Sequence, residues 1–364
     1  MTPLVWDSGI RMSEILLNNQ KILIIKQSSL GDIIHTFPLV HALKRCFPGV
    51  TIDWVVRKGL DSIIRCDSAV NRVFPVDIPS TSEPGAARGV YYRAAKGMVL
   101  TLIELRRIFA KQPYDLVLDL HASFRSGLFM LCNPGGIRIG FSDAKEMNTM
   151  FQHKKITVPE TKIHAQEKNF LFAPFLGCTV EKEDFFLETG EDDKRTSREF
   201  LQGEEKRLIY FNPVGRWESK AWPVERWALL ADTLQLKNRV RVVLAGSGDD
   251  LLVLQEIEKR MKTVPLVSGG RLTLPQSAAL IGVSSMYIGV DSGPMHMASL
   301  AGIPVVALFG PTDPVLVGPY NKPGRVLRNE SLDCLVCRKR YCSELTCMET
   351  ISVDDVYENA LKLL

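Results

Sequence analysis

Three stretches of this sequence carry side chains suited to group transfer at an anionic substrate. The first, Lys26-Gln27-Ser28-Ser29-Leu30-Gly31-Asp32-Ile33-Ile34-His35-Thr36-Phe37-Pro38, follows directly on the apolar run Ile22 to Ile25. Gly31 lets the chain turn tightly, and Asp32 then falls at the start of the next helix. An aspartate in that place is as often a helix cap as a catalyst. After a first strand, however, it stands at the rim where ligands bind, and its carboxylate could take the proton of an acceptor hydroxyl as that oxygen attacks a sugar carbon. His35, one turn on, is a rival base whose more ordinary role is packing.

The second stretch runs from Ile288 through Asp291-Ser292-Gly293-Pro294-Met295-His296 to Gly302 and reads as strand, turn and short helix, with Pro294 in the first helical turn and Gly302 at the end. The free N–H groups and positive dipole end of that helix suit a diphosphate, with His296 facing the same charge as an imidazolium or as a neutral donor. The following strand ends in Gly310-Pro311-Thr312-Asp313-Pro314, another rim loop. The third stretch, Asn212-Pro213-Val214-Gly215-Arg216-Trp217-Glu218-Ser219-Lys220-Ala221-Trp222-Pro223, places Arg216 and Lys220 where they would offset phosphate charge. Basic residues on a loop are usually just solvated, and these gain weight from the loop across the cleft.

Other chemistries lack their signatures. Ala245-Gly246-Ser247-Gly248-Asp249-Asp250-Leu251 starts like a dinucleotide fingerprint without its third glycine, and there is no P-loop lysine motif, nucleophile elbow or Asp-x-Asp pair at a strand end. A hydride-transfer enzyme and an NTPase are therefore disfavoured. Of the eight cysteines, Cys334, Cys337, Cys342 and Cys347 crowd near the C-terminus beside Arg338, Lys339 and Arg340. That spacing suggests a structural metal, zinc or iron, or else unpaired or transiently oxidised thiols. Cys46, Cys66, Cys132 and Cys178 have apolar neighbours and are expected as buried thiols.

Short β-branched runs must position these loops: Ile22 to Ile25, Ile52 to Val56, Leu116 to Asp119, Leu208 to Phe211, Val240 to Leu244, Met286 to Val290 and Val305 to Phe309. The gaps between them leave room for helices, so an α/β class with parallel sheets follows. The 364 residues suit two doubly wound, Rossmann-like domains whose strand ends face a central cleft. We expect a loose N-terminal arm over 1–20, a first domain over 21–190, a polar linker over 191–206, a second domain over 207–350 and a C-terminal helix over 351–364. No run is long enough to span a bilayer, and the first residues do not read as a signal peptide, so a cytoplasmic location is expected. A formal net charge of +4 is too mild for a nucleic-acid binder but suits anionic substrates or an anionic membrane face. Ser82 to Gln112 reads as a loop and a basic amphipathic helix, either a plain solvated face or a grip on anionic lipid.

Taken together, Ser28-Ser29-Leu30-Gly31-Asp32 with His35-Thr36-Phe37-Pro38, the strand Asp53-Trp54-Val55-Val56, Asp291-Ser292-Gly293 with His296, and Gly310-Pro311-Thr312-Asp313-Pro314 resemble glycosyltransferase family 9, the heptosyltransferases of lipopolysaccharide core assembly. The resemblance implies a GT-B fold and an inverting transfer that needs no metal cofactor. It implies ADP-heptose as donor, a lipid-linked oligosaccharide as acceptor, and peripheral contact with the inner membrane. By the same resemblance Asp32 is the general base. Lys220, Asp291, Ser292, Gly293 and His296 hold the donor, with Arg216 beside them and Gly246, Leu272 and Thr273 near the nucleoside, while Ser29, Gly31 and Arg125 lie on the acceptor side. The Ser-Ser-x-Gly-Asp and Asp-Trp-Val-Val pieces lean toward the enzyme that adds the first heptose, and the cysteine cluster is similar to one in branches acting on protein acceptors.

Overall fold

A computed structural model describes residues 20–78, 89–320 and 324–364. The expected N-terminal arm, apart from Gln20, and the segment Ser82 to Arg88 therefore lie outside the described residues. The first half runs β1 (Lys21–Ile25), α1 (Leu30–Ile34), α2 (Phe37–Cys46), β2 (Thr51–Arg57), α3 (Asp61–Arg65), β3 (Arg72–Val76), α4 (Gly89–Lys111), β4 (Leu116–Asp119), α5 (Phe124–Met130), β5 (Ile137–Phe141), β6 (Lys154–Ile156), α6 (Ala165–Phe170) and α7 (Phe172–Phe175). After α8 (Glu191–Leu201) the second half runs β7 (Arg207–Asn212), α9 (Val224–Asn238), β8 (Val240–Leu244), α10 (Leu251–Arg260), β9 (Leu266–Val267), α11 (Leu274–Val283), β10 (Met286–Val290), α12 (Gly293–Ala301), β11 (Val305–Leu308), α13 (Pro314–Val317), β12 (Gly324–Leu327), α14 (Thr346–Glu349) and α15 (Val353–Leu361).

Each half builds a six-stranded sheet, ordered β3-β2-β1-β4-β5-β6 in the first and β12-β11-β10-β7-β8-β9 in the second. The neighbouring strands pair in parallel. Parallel strands covered by helices on both faces must be apolar throughout, and the central strands β4 and β10 are buried along their whole length. In each sheet the winding reverses once, between β1 and β4 and again between β7 and β10. Those reversals open the crevice at the carboxyl ends where ligands of open sheets bind. The architecture is thus the expected two-domain α/β GT-B fold.

The halves are in direct contact. α1 packs on α12 and α3 on α11, and one apolar cluster joins Ile33 and Ile34 of α1 to Met295 and Leu300 of α12. α8 lies along α11, held by the Ser197 hydroxyl donating to the Gln276 carbonyl at 2.7 Å. α15 closes on α9, with Val356 and Ala360 in the same core as Trp227 and Leu230.

Two side-chain features stand away from the cleft. Cys46 and Cys178, expected as thiols, are joined in a disulfide, because the end of α2 meets the turn after α7 at a Cα separation of 6.1 Å. Cys66 and Cys132 are free, half-buried and buried respectively. Asp53, fully buried on β2, accepts from Arg72 Nε at 2.9 Å and from the Tyr114 hydroxyl at 2.5 Å. Burial and the neighbouring carboxylate push the Tyr114 phenol far above its ordinary range, so it stays a donor. Removing the carboxylate takes away the charged acceptor that Arg72 and the Tyr114 hydroxyl share and leaves Arg72 with Gln112 and the phenol, so Asp53→Ala is expected to cost about 2 kcal/mol in a denaturant melt.

Candidate active site

Most of the candidate side chains expected from the sequence, joined by Lys26 and His121, stand at the two points where the sheets reverse their winding. From the first sheet come the loop after β1, with Lys26, Ser29, Gly31 and Asp32, and the loop after β4, with His121 and, on α5, Arg125. From the second come the loop after β7, with Arg216 and Lys220, and the loop after β10, with Asp291, Ser292 and Gly293 leading to His296 on α12.

Asp32 is both a cap and an available carboxylate. Its Oδ2 accepts the Ser29 N–H and the Ser29 hydroxyl, each at 2.8 Å, which closes a capping box on α1. Its Oδ1 lies 3.5 Å from Lys26 Nζ, and the side chain remains 40% exposed, so this oxygen can still meet a ligand. Burial alone would raise the Asp32 pKa, but Lys26, the Ser29 N–H, His35 and the Ser29 hydroxyl together outweigh it and hold the carboxyl well below its ordinary range. Asp32 is therefore ionised at neutral pH. Lys26 is itself fixed by donating to the Leu120 carbonyl at 2.8 Å. His121 stands near enough to feel both Lys26 and Asp32, and burial is the main force that pushes its pKa down to about 4.

On the facing loop Lys220 Nζ lies 2.6 Å from Asp291 Oδ2 and 4.8 Å above the Trp217 ring. Asp291 also accepts the Thr312 hydroxyl at 2.7 Å. This carboxylate therefore acts first on Lys220, aiming and neutralising it, and a bound phosphate would compete with it for the ammonium. Asn212 ties the two loops together by donating to Ser292 Oγ at 3.3 Å. Ser219, fully buried, donates to the Lys339 carbonyl at 2.6 Å, so the basic turn before the last cysteines braces the Lys220 loop. Arg216 stands exposed beside it.

The domains touch across the cleft through glycines. A Cβ on Gly31 would come within 2.5 Å of the His296 ring, and one on Gly293 within 2.5 Å of the Leu30 side chain. His296 Nδ1 meets His35 Nε2 at 2.9 Å. His296 Nε2 lies 3.9 Å from Asp291 Oδ1, beyond hydrogen-bond reach, so that nitrogen is not committed to the carboxylate. His35 Nδ1 is buried without a hydrogen-bond partner among the described residues. Burial drives the His296 pKa down to about 4, and burial with the adjoining histidines drives His35 well below its ordinary value. Both rings are neutral at pH 7, which favours the neutral-donor role for His296 over the imidazolium.

This contact has a pH signature. An unfolded histidine takes up its proton near 6.5, whereas folded His296 does so near 4. Its contribution to stability is therefore complete above about pH 6.5 and is lost as the pH falls through 4. The melting temperature should fall over that window, and His296→Gln should fall less steeply. Equal slopes for both proteins would show that the histidine pair does not set the acid limb.

The remaining expected residues divide. Gly246 follows β8 on the same rim, and Leu272 and Thr273 follow β9, with Thr273 acting as the cap of α11. Arg125 is half-buried and shares its surroundings with Glu146 and Arg57. The metal site expected at the cysteines is not supported. Cys334 and Cys337 are exposed, Cys342 and Cys347 half-buried, and among the described residues no group of three or more metal-ligating side chains is gathered. Cys347 is turned inward instead, with its Sγ against Gly310. Burial first, and then the nearby Cys334, Cys337 and Cys342, raise its thiol pKa.

Lys26 and His121 were not singled out from the sequence. A signal for each was present: Lys26 is the first residue after β1, and His121 follows β4 across the same reversal point.

Comparisons with known proteins identify the family and the fold. The family model described as glycosyltransferase family 9 (heptosyltransferase) matches residues 102–348. Lipopolysaccharide heptosyltransferase 3 of Escherichia coli strain K12 is 28% identical over 298 residues, covering 80% of this chain and 83% of that protein. The crystal structure of a family 9 glycosyl transferase from Veillonella parvula superposes with a TM-score of 0.80 at 26% identity, over 96% of this chain and 98% of that one. E. coli heptosyltransferase WaaC, solved with ADP, superposes with a TM-score of 0.72 at 23% identity, over 94% of this chain and the whole of that one. With more than half of its length matched by the family model, the chain belongs to glycosyltransferase family 9, the heptosyltransferases.

Proposed function

We propose that the chain transfers heptose from ADP-heptose to the lipopolysaccharide inner core with inversion, at the first-heptose position, working in the cytoplasm against the inner membrane. The observation that carries this reading is the placement of one ionised carboxylate, Asp32, opposite the Lys220–Asp291–His296 group, each at the reversal point of its own sheet. The ADP bound to a fold neighbour and the heptosyltransferase relatives support donor and acceptor class. The first-heptose position rests on the Ser28-Ser29-Leu30-Gly31-Asp32 and Asp53-Trp54-Val55-Val56 pieces.

In the mechanism we infer, Asp32 Oδ1 takes the acceptor hydroxyl proton as that oxygen forms a bond to the anomeric carbon. The bond from that carbon to the diphosphate breaks on the opposite side, and ADP leaves. Lys220, Arg216, neutral His296 and the amino end of α12 stabilise the charge that builds on the leaving group. Lys26 keeps Asp32 weakly basic while the diphosphate is away; the donor's negative charge then offsets Lys26 and raises the basicity of the carboxylate when it is needed. Entry of the donor requires the Gly31–His296 and Leu30–Gly293 contacts to part, and their return excludes water from the reacting carbon.

Incubation with ADP-heptose and two acceptors, one without heptose and one already carrying a heptose, tests the reading by product mass. Transfer to the first alone is expected, with initial rates unchanged by EDTA. Transfer only to the second moves the enzyme one step along the core, and a strict requirement for a divalent ion would replace the phosphate-handling scheme above.

A further inference from the structure

Helix α4 is apolar on two opposite sides. Val90, Ala94, Leu105 and Phe109 are buried, with the last three in a core they share with β1 and β4. On the far side Tyr92, Val99, Leu100 and Ile103 are 55% to 73% exposed. At the helical repeat these four fall on one outward arc. The cations of the helix, Arg93, Lys96, Arg106, Arg107 and Lys111, lie within and beside that arc, and Glu104 is its lone acid. A surface helix of a soluble domain normally turns polar residues outward; apolar residues ringed by lysine and arginine are what an anionic lipid surface selects. No helix among the described residues is long and apolar enough to cross a membrane, so contact of this kind would be peripheral.

Its position adds a reason. The chain enters α4 from the carboxyl end of β3, and Gly97 packs against the Asp77 carbonyl just beyond that strand. The helix thus starts on the same edge of the sheet as Asp32, and its apolar stripe runs from Tyr92 near that edge to Ile103 just past the middle of the helix.

We propose that the outer face of α4 docks the protein on an anionic lipid bilayer, with Tyr92, Val99, Leu100 and Ile103 entering the headgroup boundary and the cations pairing with lipid phosphates. The inference rests on the lipid-linked acceptor of the proposed function for its purpose and on the helix face alone for its physics. It brings the rim of the first domain to the surface in which such an acceptor is anchored.

Flotation with vesicles of phosphatidylcholine, alone or mixed equally with phosphatidylglycerol, tests it. Binding to the mixed vesicles should be at least about tenfold tighter and should weaken steeply with added salt. The double substitution Leu100→Glu and Ile103→Glu should cost at least about tenfold in vesicle binding, while melting temperature and transfer to a delipidated acceptor stay at parent values. Equal binding to both vesicle types, or unchanged binding by the double variant, overturns the proposal. So does a parent dimer that the same substitutions dissociate, since the face would then be paired with a second copy. Loss of transfer to the delipidated acceptor by the parent protein itself would instead count against the functional reading.

Discussion

Asp32→Asn is expected to lower the rate of heptose transfer by about a hundredfold or more, with the fold and ADP affinity retained. Asparagine is nearly the same shape, and its side-chain oxygen can still accept the Ser29 N–H that closes α1, so the local cost is at most about 1 kcal/mol. What disappears is the Oδ1 charge, which faces Lys26 and solvent. The proposed donor site lies on the other domain, so calorimetric titration with ADP should give a near-parent affinity while single-turnover transfer collapses. Near-normal turnover in this variant would reduce Asp32 to the helix cap that it also is.

Lys220→Ala should be the second largest effect, lowering kcat/KM for the donor by about a hundredfold. Two losses combine. The ammonium that meets the diphosphate is gone, and Asp291, 7% exposed and previously neutralised at 2.6 Å, is left as a buried negative charge facing an anion. The second loss is separable, because Asp291→Asn made together with Lys220→Ala removes the repulsion. The double variant should therefore recover about tenfold over the single one. If the two substitutions simply multiply, Asp291 does not aim Lys220, and the pairing is incidental to donor handling.

The sequence showed the central strands more clearly than the edges. β1, β2, β4, β7, β8, β10 and β11 are apolar runs because helices cover both of their faces, and such runs are visible without a structure. β3, β6, β9 and β12 went unmarked. They end each sheet or are very short, and β3 carries Pro75 while β12 is largely exposed, so no continuous apolar signal marks them. β5 is inside its sheet but begins half-buried with a polar residue, Arg138, in its run.

The site divides in the same way. Asp32, Lys220, Asp291 and His296 were legible because each follows a recognisable strand, and the strand order then brings the loops to facing reversal points. The partners of these residues were not. Lys220 bonds to a carboxylate far along the chain, His35 of one domain meets His296 of the other, and Cys46 joins Cys178 across 132 residues. The cysteine cluster shows the opposite error: a tight spacing in sequence suggested a metal centre, yet although Cys347 stays near the other three thiols, among the described residues no group of three or more ligands is gathered to hold an ion.

By itself, then, the sequence determined the periodicities, and through them the strands, the helix starts and the residue types that each rim loop presents. These are local matters of burial and backbone preference. Tertiary structure alone decided that Asp32 is ionised yet weakly basic, that His296 is neutral, and that Lys220 is paired with Asp291. Each of those properties depends on a charge or a buried surface supplied by a distant part of the chain, and no local pattern carries that information.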